Sequence, residues 1–272
     1  MTIEKVTSLQ VAKKAGVSQS AVSRVFTPGA SASRATIDKV KKAANDLGYR
    51  PNVLARAMVS GKSRIIGVVV AYLENQFYPE ALERLSNSLQ AKGYHVLIFM
   101  AGKNMQSLDG VVQEILDYKV DGIVAASVAM SSTLAERCKF AGVPMVLFNR
   151  SQDLPSMSAV TSDNIAGGSK VAEFLISGNH KKNGYISGWE GASTQRDREA
   201  GFISCLANSG FTLHNRQVGN FVMEEAKEAT RKMFSSDPPD AVFVANDHMA
   251  LAVMDTLRYE IGLKIPQDVS VI

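Results

Sequence analysis

Polar side chains suited to base and phosphate contacts crowd one short helical pattern near the amino terminus. In SQSAVSRVF, residues 18 to 26, the valines recur at helical spacing and leave the polar residues on the opposite face. Glutamine and arginine can form paired hydrogen bonds with base edges, and serine can bind phosphates or bases. The candidate DNA contacts are Ser18, Gln19, Ser20, Ser23 and Arg24.

These side chains need a rigid pair of helices beneath them. Residues 7–26 contain two helical patterns separated by Gly16, which can adopt the positive φ of a tight turn. Ser8 is the expected N-cap of the first helix, Ser18 is that of the second, and Ala12 is small enough for a close crossing. A third amphipathic segment, residues 33–47, closes the core. The pattern predicts a helix-turn-helix, with a helical bundle that makes no DNA contact as the alternative.

The charge distribution separates the N-terminal part of the chain, which contains the helix-turn-helix and is called the head, from the remainder, which is called the body. Residues 1–64 hold 12 Lys and Arg against 3 Asp and Glu, a net charge of +9, out of 30 and 26 in the whole chain. The remaining 18 basic and 23 acidic residues leave the body at −5. A basic head on an acidic body is typical of a nucleic-acid module joined to a second function.

Composition excludes several other classes of protein. The 272 residues are 46% hydrophobic and 21% charged, which fits a globular protein of two or three folding units. No apolar run reaches the ~18 residues of a membrane span and no signal segment is recognisable, so we expect a cytoplasmic protein. Two lone cysteines and four isolated histidines predict no metal site, and no catalytic or cofactor motif is found. We therefore expect no cofactor and no enzyme.

The sequence pattern of the body, residues 65–272, predicts a duplicated α/β unit. From residue 65, β-rich runs alternate with helical stretches, which predicts a parallel sheet. The pattern recurs from Gly184, with three pairs of landmarks offset by 117, 119 and 120 positions. These pairs are Gly93-Tyr94 with Gly210-Phe211, Asp121-Gly122 with Asp240-Ala241, and Gly142 with Gly262. We expect two doubly wound lobes separated by a cleft.

Residues that follow the strands should line this cleft, because ligands of open parallel sheets bind at the carboxyl ends of the strands. Aromatic rings among them can stack on a ligand, and amide and guanidinium groups can bind its hydroxyls. Singly, each residue also fits an ordinary turn or core position. The predicted ligand contacts are Asn75, Phe77, Tyr78, Asn149, Arg198, Phe221 and Asn246, and Arg150, Asp163, Asn164, Trp189 and Asp247 also follow strands or begin helices.

The chain resembles the lactose-repressor (LacI/GalR) family of bacterial transcription regulators over nearly its whole length. The helix-turn-helix motif VTSLQVAKKAGVSQSAVSRVF is the most specific part of the resemblance. The other segments are YRPN…ARAM, VDGIV, GVPMVLFNR, TSDN, RDREAGF, VANDHMA and IPQDVSVI. The resemblance implies a homodimer that binds double-stranded operator DNA under the control of a sugar-like effector. Carried over, it assigns base reading to Gln19 and Ser20, and contacts with bases or the DNA backbone to Ser23 and Arg24.

The resemblance also assigns roles to the segment after the head. In this family, paired hinge helices push an apolar residue, usually leucine, into the minor groove; Met58 matches that position, Ala55 would let the helices approach, and Asn52 is a further candidate contact. Among the effector contacts, Asn149 stands where many sugar-responsive members have aspartate. That difference leaves both a neutral sugar and an acidic ligand open.

The implied architecture is an all-α helix-turn-helix head with two doubly wound lobes of the periplasmic-binding-protein type. The expected domains are residues 1–49 (head), 50–64 (hinge helix and linker) and 65–272 (effector-binding domain), with lobes of about 65–162 and 163–272. Members of the family run about 60 residues further, so we expect a C-terminally truncated form with an incomplete second lobe. The alternatives are a solute-binding protein and a sugar-modifying enzyme.

Overall fold

The structure is a computed structural model, and it describes residues 6–27, 29–51, 61–101, 105–127, 132–152 and 157–272. The predicted hinge contacts Asn52, Ala55 and Met58 lie outside the described residues. The chain divides into two compact units, Met1–Arg64 and Ile65–Ile272.

The first unit contains the three predicted helices, α1 (Ser8–Ala15), α2 (Gln19–Val25) and α3 (Arg34–Leu47). Gly16 and Gly48 end α1 and α3 in the left-handed conformation, with φ of 65° and 68°. Both positions favour glycine because a side chain is strained there. Val11, Val22 and Val40 are buried where the helices meet.

The N-cap of α1 differs from the prediction. Thr7, not Ser8, caps the helix: its hydroxyl accepts from the Gln10 amide, and the Gln10 side chain accepts from the Thr7 amide. This reciprocal capping box needs Gln or Glu three residues after the cap, and Ser8 has Val11 there. Ser18 caps α2 as predicted, accepting from the Ala21 amide at 3.2 Å.

The second unit contains two parallel sheets flanked by helices, as predicted. Its first sheet has the strand order β2-β1-β3-β4-β5 and its second has β7-β6-β8-β9. The first four strands of both sheets therefore lie in the same order, which by their position in the chain is second, first, third, fourth. In chain order the elements are β1 (Ile65–Val70), α4 (Phe77–Ala91), β2 (His95–Met100), α5 (Met105–Asp117), β3 (Gly122–Ala126), α6 (Ser132–Phe140), β4 (Met145–Phe148), β5 (Ser158–Val160), α7 (Asn164–Ser177), β6 (Asn183–Ser187), α8 (Ser193–Asn208), β7 (Leu213–Val218), α9 (Met223–Met233), β8 (Ala241–Val244), α10 (Asp247–Asp255), a π-helical segment (Thr256–Ile261) and β9 (Ser270–Val271).

The duplication landmarks occupy equivalent positions in the two lobes. Gly93 and Gly210 both have positive φ after a helix, and the following residues Tyr94 and Phe211 each donate a backbone hydrogen bond back into that helix. The Asp121 and Asp240 amides bind the carbonyls of Ile65 and Lys182. The repeat in the sequence therefore corresponds to a repeat of backbone geometry.

Helices α7 and α8 cross closely in the second lobe. A Cβ atom built on Gly168 would lie 2.1 Å from the Arg198 carbonyl oxygen, and one built on Gly201 would lie 2.1 Å from the Ile165 carbonyl oxygen. The two glycines therefore let the helix backbones touch. This crossing places the beginning of α7 beside Arg198 of α8.

Among the described residues, no helix has the length and apolar character needed to cross a bilayer.

Candidate functional site

The exposed face of α2 carries the four polar residues predicted to contact DNA. Gln19, Ser20, Ser23 and Arg24 are all exposed, whereas Val22 is 1% exposed and faces the core of the first unit. The hydroxyls of Ser18 and Ser20 lie 2.9 Å apart. The helix therefore presents hydrogen-bonding groups on one side and is anchored by apolar groups on the other.

One of these residues is held by a neighbouring helix. The Gln19 amide nitrogen, Nε2, donates a hydrogen bond to Oγ of Ser8 on α1 at 2.9 Å. The sequence prediction missed this role for Ser8 because the contact spans eleven positions and two helices.

The second unit contains a cavity of about 490 Å³ between its lobes. All seven predicted ligand contacts line this cavity. Trp189, which also follows a strand, is not among the lining residues. Among the residues that the structure describes, the lining is Tyr72, Asn75, Phe77, Tyr78, Asn149, Arg150, Ser162, Asp163, Asn164, Gly167, Val171, Thr194, Arg198, Phe221, Phe243, Val244, Ala245, Asn246, Asp247 and Ile272.

A buried polar cluster forms the wall of the cavity in the first lobe. The Asn149 amide nitrogen, Nδ2, donates to the Tyr78 hydroxyl at 3.0 Å and approaches the Ser127 hydroxyl at 3.3 Å. The Tyr78 and Ser127 hydroxyls also bond each other. Asn149 follows β4 with a φ of 69°, a left-handed conformation that asparagine tolerates better than most residues. The cluster therefore orients the Asn149 amide.

Aromatic rings surround this polar cluster. Phe77 stacks on Phe148 with ring centroids 6.0 Å apart, and Tyr72 meets Tyr78 edge-on at 5.2 Å. Burial raises the pKa of the Tyr72 hydroxyl well above its usual range, and the proximity of Tyr78 adds to the rise. The Tyr72 hydroxyl therefore stays protonated even where an exposed tyrosine begins to ionise, and it can donate a hydrogen bond.

The second lobe contributes a guanidinium group held by neutral partners. Arg198 Nε donates to Asn164 Oδ1 at 2.9 Å, and its Nη1 donates to the Ala245 carbonyl. Asn246 caps α10, since its Oδ1 accepts from the Met249 amide at 2.9 Å. These contacts fix two of the predicted residues at the carboxyl end of β8, where the strand-end rule places ligands.

Arg150 and Ser151 connect the two lobes. The Arg150 guanidinium lies over the rings of Trp189 and Phe221, at 5.6 and 5.8 Å from their centroids. The Ser151 amide donates to the Ser193 hydroxyl at 2.9 Å. Cation–π contacts of this kind contribute about 0.5–2 kcal/mol, so these residues help to hold the lobes together.

The Phe221 ring depends on a glycine beneath it. A Cβ atom on Gly188 would lie 2.1 Å from the ring, so a side chain larger than hydrogen cannot occupy that position without moving Phe221. The buried side-chain oxygen of Gln195 accepts from both the Gly188 amide and the Tyr185 hydroxyl. Gln195 thereby anchors the loop on which the ring rests.

Sequence reasoning missed several lining residues, including Tyr72, Ser162 and Thr194. Tyr72 lies two residues beyond the end of β1 at Val70. The strand-end rule identifies which loops reach a cleft but not the direction of each side chain in them. In the described part of the chain, no group of three or more His, Cys, Asp or Glu residues is arranged to hold a metal ion.

Comparisons with known proteins identify relatives of both units. Residues 9–52 match bacterial regulatory proteins of the lacI family, and residues 63–272 match the periplasmic binding proteins and sugar binding domain of the LacI family. The chain is 30% identical over 266 residues to the HTH-type transcriptional repressor PurR of Vibrio vulnificus (strain CMCP6), covering 96% of this chain and 79% of that protein. It is 28% identical over 271 residues to catabolite control protein A of Priestia megaterium, covering 98% and 81%.

Solved structures agree with these relatives. The Lac repressor dimer bound to operator and the anti-inducer ONPF superposes with a TM-score of 0.87 at 25% identity, covering 98% of this chain and 82% of that one. The transcriptional regulator CelR in complex with cellobiose gives a TM-score of 0.71 at 28% identity, with the same coverage. PurR is a transcriptional repressor, CelR is a transcriptional regulator, and the Lac repressor is bound to operator in its solved structure.

Proposed function

Because the chain belongs to the LacI family of bacterial regulatory proteins, we propose that it represses transcription by binding operator DNA through α2 and releasing or holding it in response to a ligand in the inter-lobe cavity. The single observation that carries this proposal is the presence in one chain of a helix-turn-helix with an exposed polar face and a lined cavity between two lobes.

On the DNA side, α2 lies in the major groove. Gln19 and Ser20 read bases, and Ser23 and Arg24 contact bases or phosphates, in keeping with their exposure on one face. Ser18 caps the helix and leaves amide groups at its start that can bind a phosphate. The protein acts as a homodimer, as the Lac repressor does in its operator complex, so the operator is pseudo-palindromic.

The domain boundaries follow the family pattern. Residues 1–49 form the DNA-binding domain, 50–64 form the hinge helix and linker, and 65–272 form the effector-binding domain with lobes of about 65–162 and 163–272. In the hinge, Met58 takes the role of the apolar wedge at the operator centre, Ala55 lets the paired hinge helices approach, and Asn52 is a further DNA contact. Family membership supports this assignment.

The effector is a small polar molecule with a ring, such as a sugar or sugar derivative. Phe77 and Phe221 offer ring faces for stacking, and Asn149, Arg198 and Asn246 offer hydrogen-bonding groups. CelR was solved with cellobiose, which supports a sugar as the class of ligand. Ligand binding between the lobes shifts the equilibrium between an open and a closed arrangement of the two lobes, and this shift changes the affinity for the operator.

We further propose that the protein is not an enzyme and works in the cytoplasm, where its DNA partner is found. A sugar-modifying enzyme needs an acid and a base in the cleft, and the candidates are Asp163 and Asp247. Asp163 is engaged as the N-cap of α7, where its Oδ1 accepts from the Ala166 amide at 2.9 Å. Both carboxylates are exposed to solvent, whereas a general acid usually works in a site that excludes water.

A binding experiment with the full chain tests the proposal. Random duplexes are selected on the protein, and affinity for the enriched sequence is then measured at several salt concentrations, with and without a panel of sugars and nucleosides. Gln19→Ala should lose discrimination at one base-pair position of each half-site, worth about 1–3 kcal/mol. Arg24→Ala should weaken binding to all sequences and make the salt dependence shallower by about one phosphate contact per subunit.

The matched control is Thr36→Ala, which removes an exposed hydroxyl from α3, outside α2. It should leave both sequence preference and salt dependence unchanged. Equal losses on every sequence for both Gln19→Ala and Arg24→Ala would overturn the assignment of Gln19. Ligand binding without any enriched duplex would favour the solute-binding alternative.

A further inference from the structure

The side chains of Ser8 and Gln19 join the first residues of the two helices in the helix-turn-helix. Gln19 Nε2 donates to Ser8 Oγ at 2.9 Å. The helices that carry them are fixed by a shared core, in which Val11 of α1 is fully buried and Val22 of α2 is 1% exposed. The Gln19 amide therefore has its nitrogen end turned toward Ser8 in the protein itself.

This bond decides which hydrogen-bonding groups Gln19 has left. A glutamine amide has two N–H donors and one carbonyl oxygen acceptor. Ser8 takes one donor, and one donor and the acceptor remain. Adenine presents one acceptor, N7, and one donor, the N6 amine, in the major groove, whereas guanine presents two acceptors, N7 and O6. The remaining pair on Gln19 matches adenine and lacks the second donor that guanine requires.

We propose that Ser8 is a positioning residue that makes Gln19 select adenine over guanine at one base pair of each operator half-site. The proposal rests on the proposed function, in which α2 reads the major groove. Ser8 acts through Gln19 and contacts no base.

The direction of the bond between Gln19 and Ser8 leaves the Ser8 hydrogen available for a second partner. When its oxygen accepts from Gln19, its own hydrogen is directed elsewhere, and an oxygen of the DNA backbone is a pure acceptor for it. With a phosphate contact, donation would run in one direction, from the Gln19 amide to the Ser8 oxygen and from the Ser8 hydroxyl to the phosphate. Fixing the side chain before binding also reduces the rotamer freedom lost on the DNA.

The other serines near Gln19 do not offer the same support. The Ser18 hydroxyl accepts from the Ala21 amide as N-cap and lies 2.9 Å from the Ser20 hydroxyl, so these two are engaged with each other and with α2 itself. Ser8 belongs to a different helix and can therefore hold Gln19 against movements of α2.

The experiment compares the wild type, Ser8→Ala, Ser8→Thr, Gln19→Ala and the Ser8→Ala/Gln19→Ala double variant of the full chain. The duplexes are the sequence enriched by the wild type and its variants at the base pair that Gln19→Ala desensitises. We expect the wild type to prefer adenine over guanine about tenfold there. Ser8→Ala should reduce this ratio to about threefold or less, and Ser8→Thr, which keeps the hydroxyl, should restore it.

The double variant separates positioning from an independent contact. If Ser8 acts through Gln19, Ser8→Ala changes the ratio only when Gln19 is present, so the two losses are not additive. Thr36→Ala, a matched loss of an exposed hydroxyl that bonds Ser33, should leave the ratio unchanged. Thermal melts of each variant report whether the fold is retained.

Two results would overturn the proposal while leaving the proposed function intact. The first is additive effects of Ser8→Ala and Gln19→Ala, and the second is a uniform loss of affinity in Ser8→Ala with the adenine-to-guanine ratio unchanged. If the wild type enriches no duplex at all, the proposed function fails, and the role of Ser8 fails with it.

Discussion

Arg198 is held at the edge of the cavity by two hydrogen bonds. Its Nε and Nη1 bind two acceptors on different elements, Asn164 at the start of α7 and the Ala245 carbonyl after β8. Neither acceptor carries a charge, so these two bonds do not offset the positive charge of the guanidinium at the edge of the cavity. The planar fork of arginine is what allows both bonds at once.

At the residue scale we therefore expect Arg198→Lys to weaken effector binding although the charge is kept. A lysine ammonium cannot reach acceptors on two different elements as the planar guanidinium does, and hydrogen bonds to charged groups contribute about 1.5–3 kcal/mol, so affinity should fall about tenfold or more. The fluorescence of Trp189, the single tryptophan of the chain, measures binding of the sugar or nucleoside that shifts operator affinity in the panel. Arg196→Lys, on an exposed position of the same helix, is the control, and unchanged affinity in Arg198→Lys would contradict the assigned role.

The residues of the cavity were predictable to the extent that one geometric rule applies to them. Asn75, Asn149 and Asn246 follow parallel strands, so the topology alone brings them to one edge. The bonds that orient them were not predictable, because the Arg198 and Ala245 positions are 47 apart in sequence and meet only through packing. The side chain of Ser8 was assigned to a cap for the same reason: its partner belongs to another helix.

At the scale of elements, the α7–α8 crossing brings two helix backbones into direct contact. Gly168 and Gly201 face the opposite helix backbone at a distance that leaves no room for a methyl group. Gly167, the neighbour of Gly168 in the same helix, has no atom within 4 Å of an added Cβ. Adjacent glycines in one helix thus have opposite roles, a helix-packing contact and an open position.

We expect Gly168→Ala to destabilise the second unit by about 2 kcal/mol or more, since overpacking of this kind typically costs about 1–3 kcal/mol. Gly167→Ala is the matched control and should be neutral or stabilising by up to about 1 kcal/mol, because alanine favours helix over glycine. Thermal unfolding followed by circular dichroism compares the two. Equal melting temperatures for both variants would show that the helices can separate without loss.

The helices and strands themselves were largely predictable from the spacing of apolar residues and from the turn residues between the elements. The landmarks at Gly93 and Gly210 gave the duplication, and the sheets follow one strand order because each lobe repeats the same alternation of strand and helix. The α7–α8 crossing was not predicted, because a glycine inside a helix shows its packing role only once the neighbouring backbone is known.

At the scale of the whole molecule, the proposed function couples two binding events on different units. Thermodynamic linkage requires the coupling to be reciprocal: if a ligand changes operator affinity by some factor, operator DNA must change ligand affinity by the same factor. Allosteric coupling typically amounts to about 1–3 kcal/mol, which corresponds to about 5- to 150-fold. A protein whose ligand cavity had no regulatory output would show no such equality.

We therefore expect two measured factors to be equal. The first is the change in effector affinity, measured by Trp189 fluorescence, when the protein is saturated with operator duplex. The second is the change in operator affinity, measured by gel shift, when the protein is saturated with effector. A duplex of the same length lacking the selected sequence controls for charge effects, and it should leave effector affinity nearly unchanged at equal salt. With Gln19→Ala, saturation should require a higher operator concentration. The factor by which saturating operator changes effector affinity should stay the same, because the substitution weakens operator binding and leaves the coupling between the two sites unchanged. Tight effector binding that is unaffected by saturating operator would mean that the cavity and the helix-turn-helix do not communicate, whatever each binds alone.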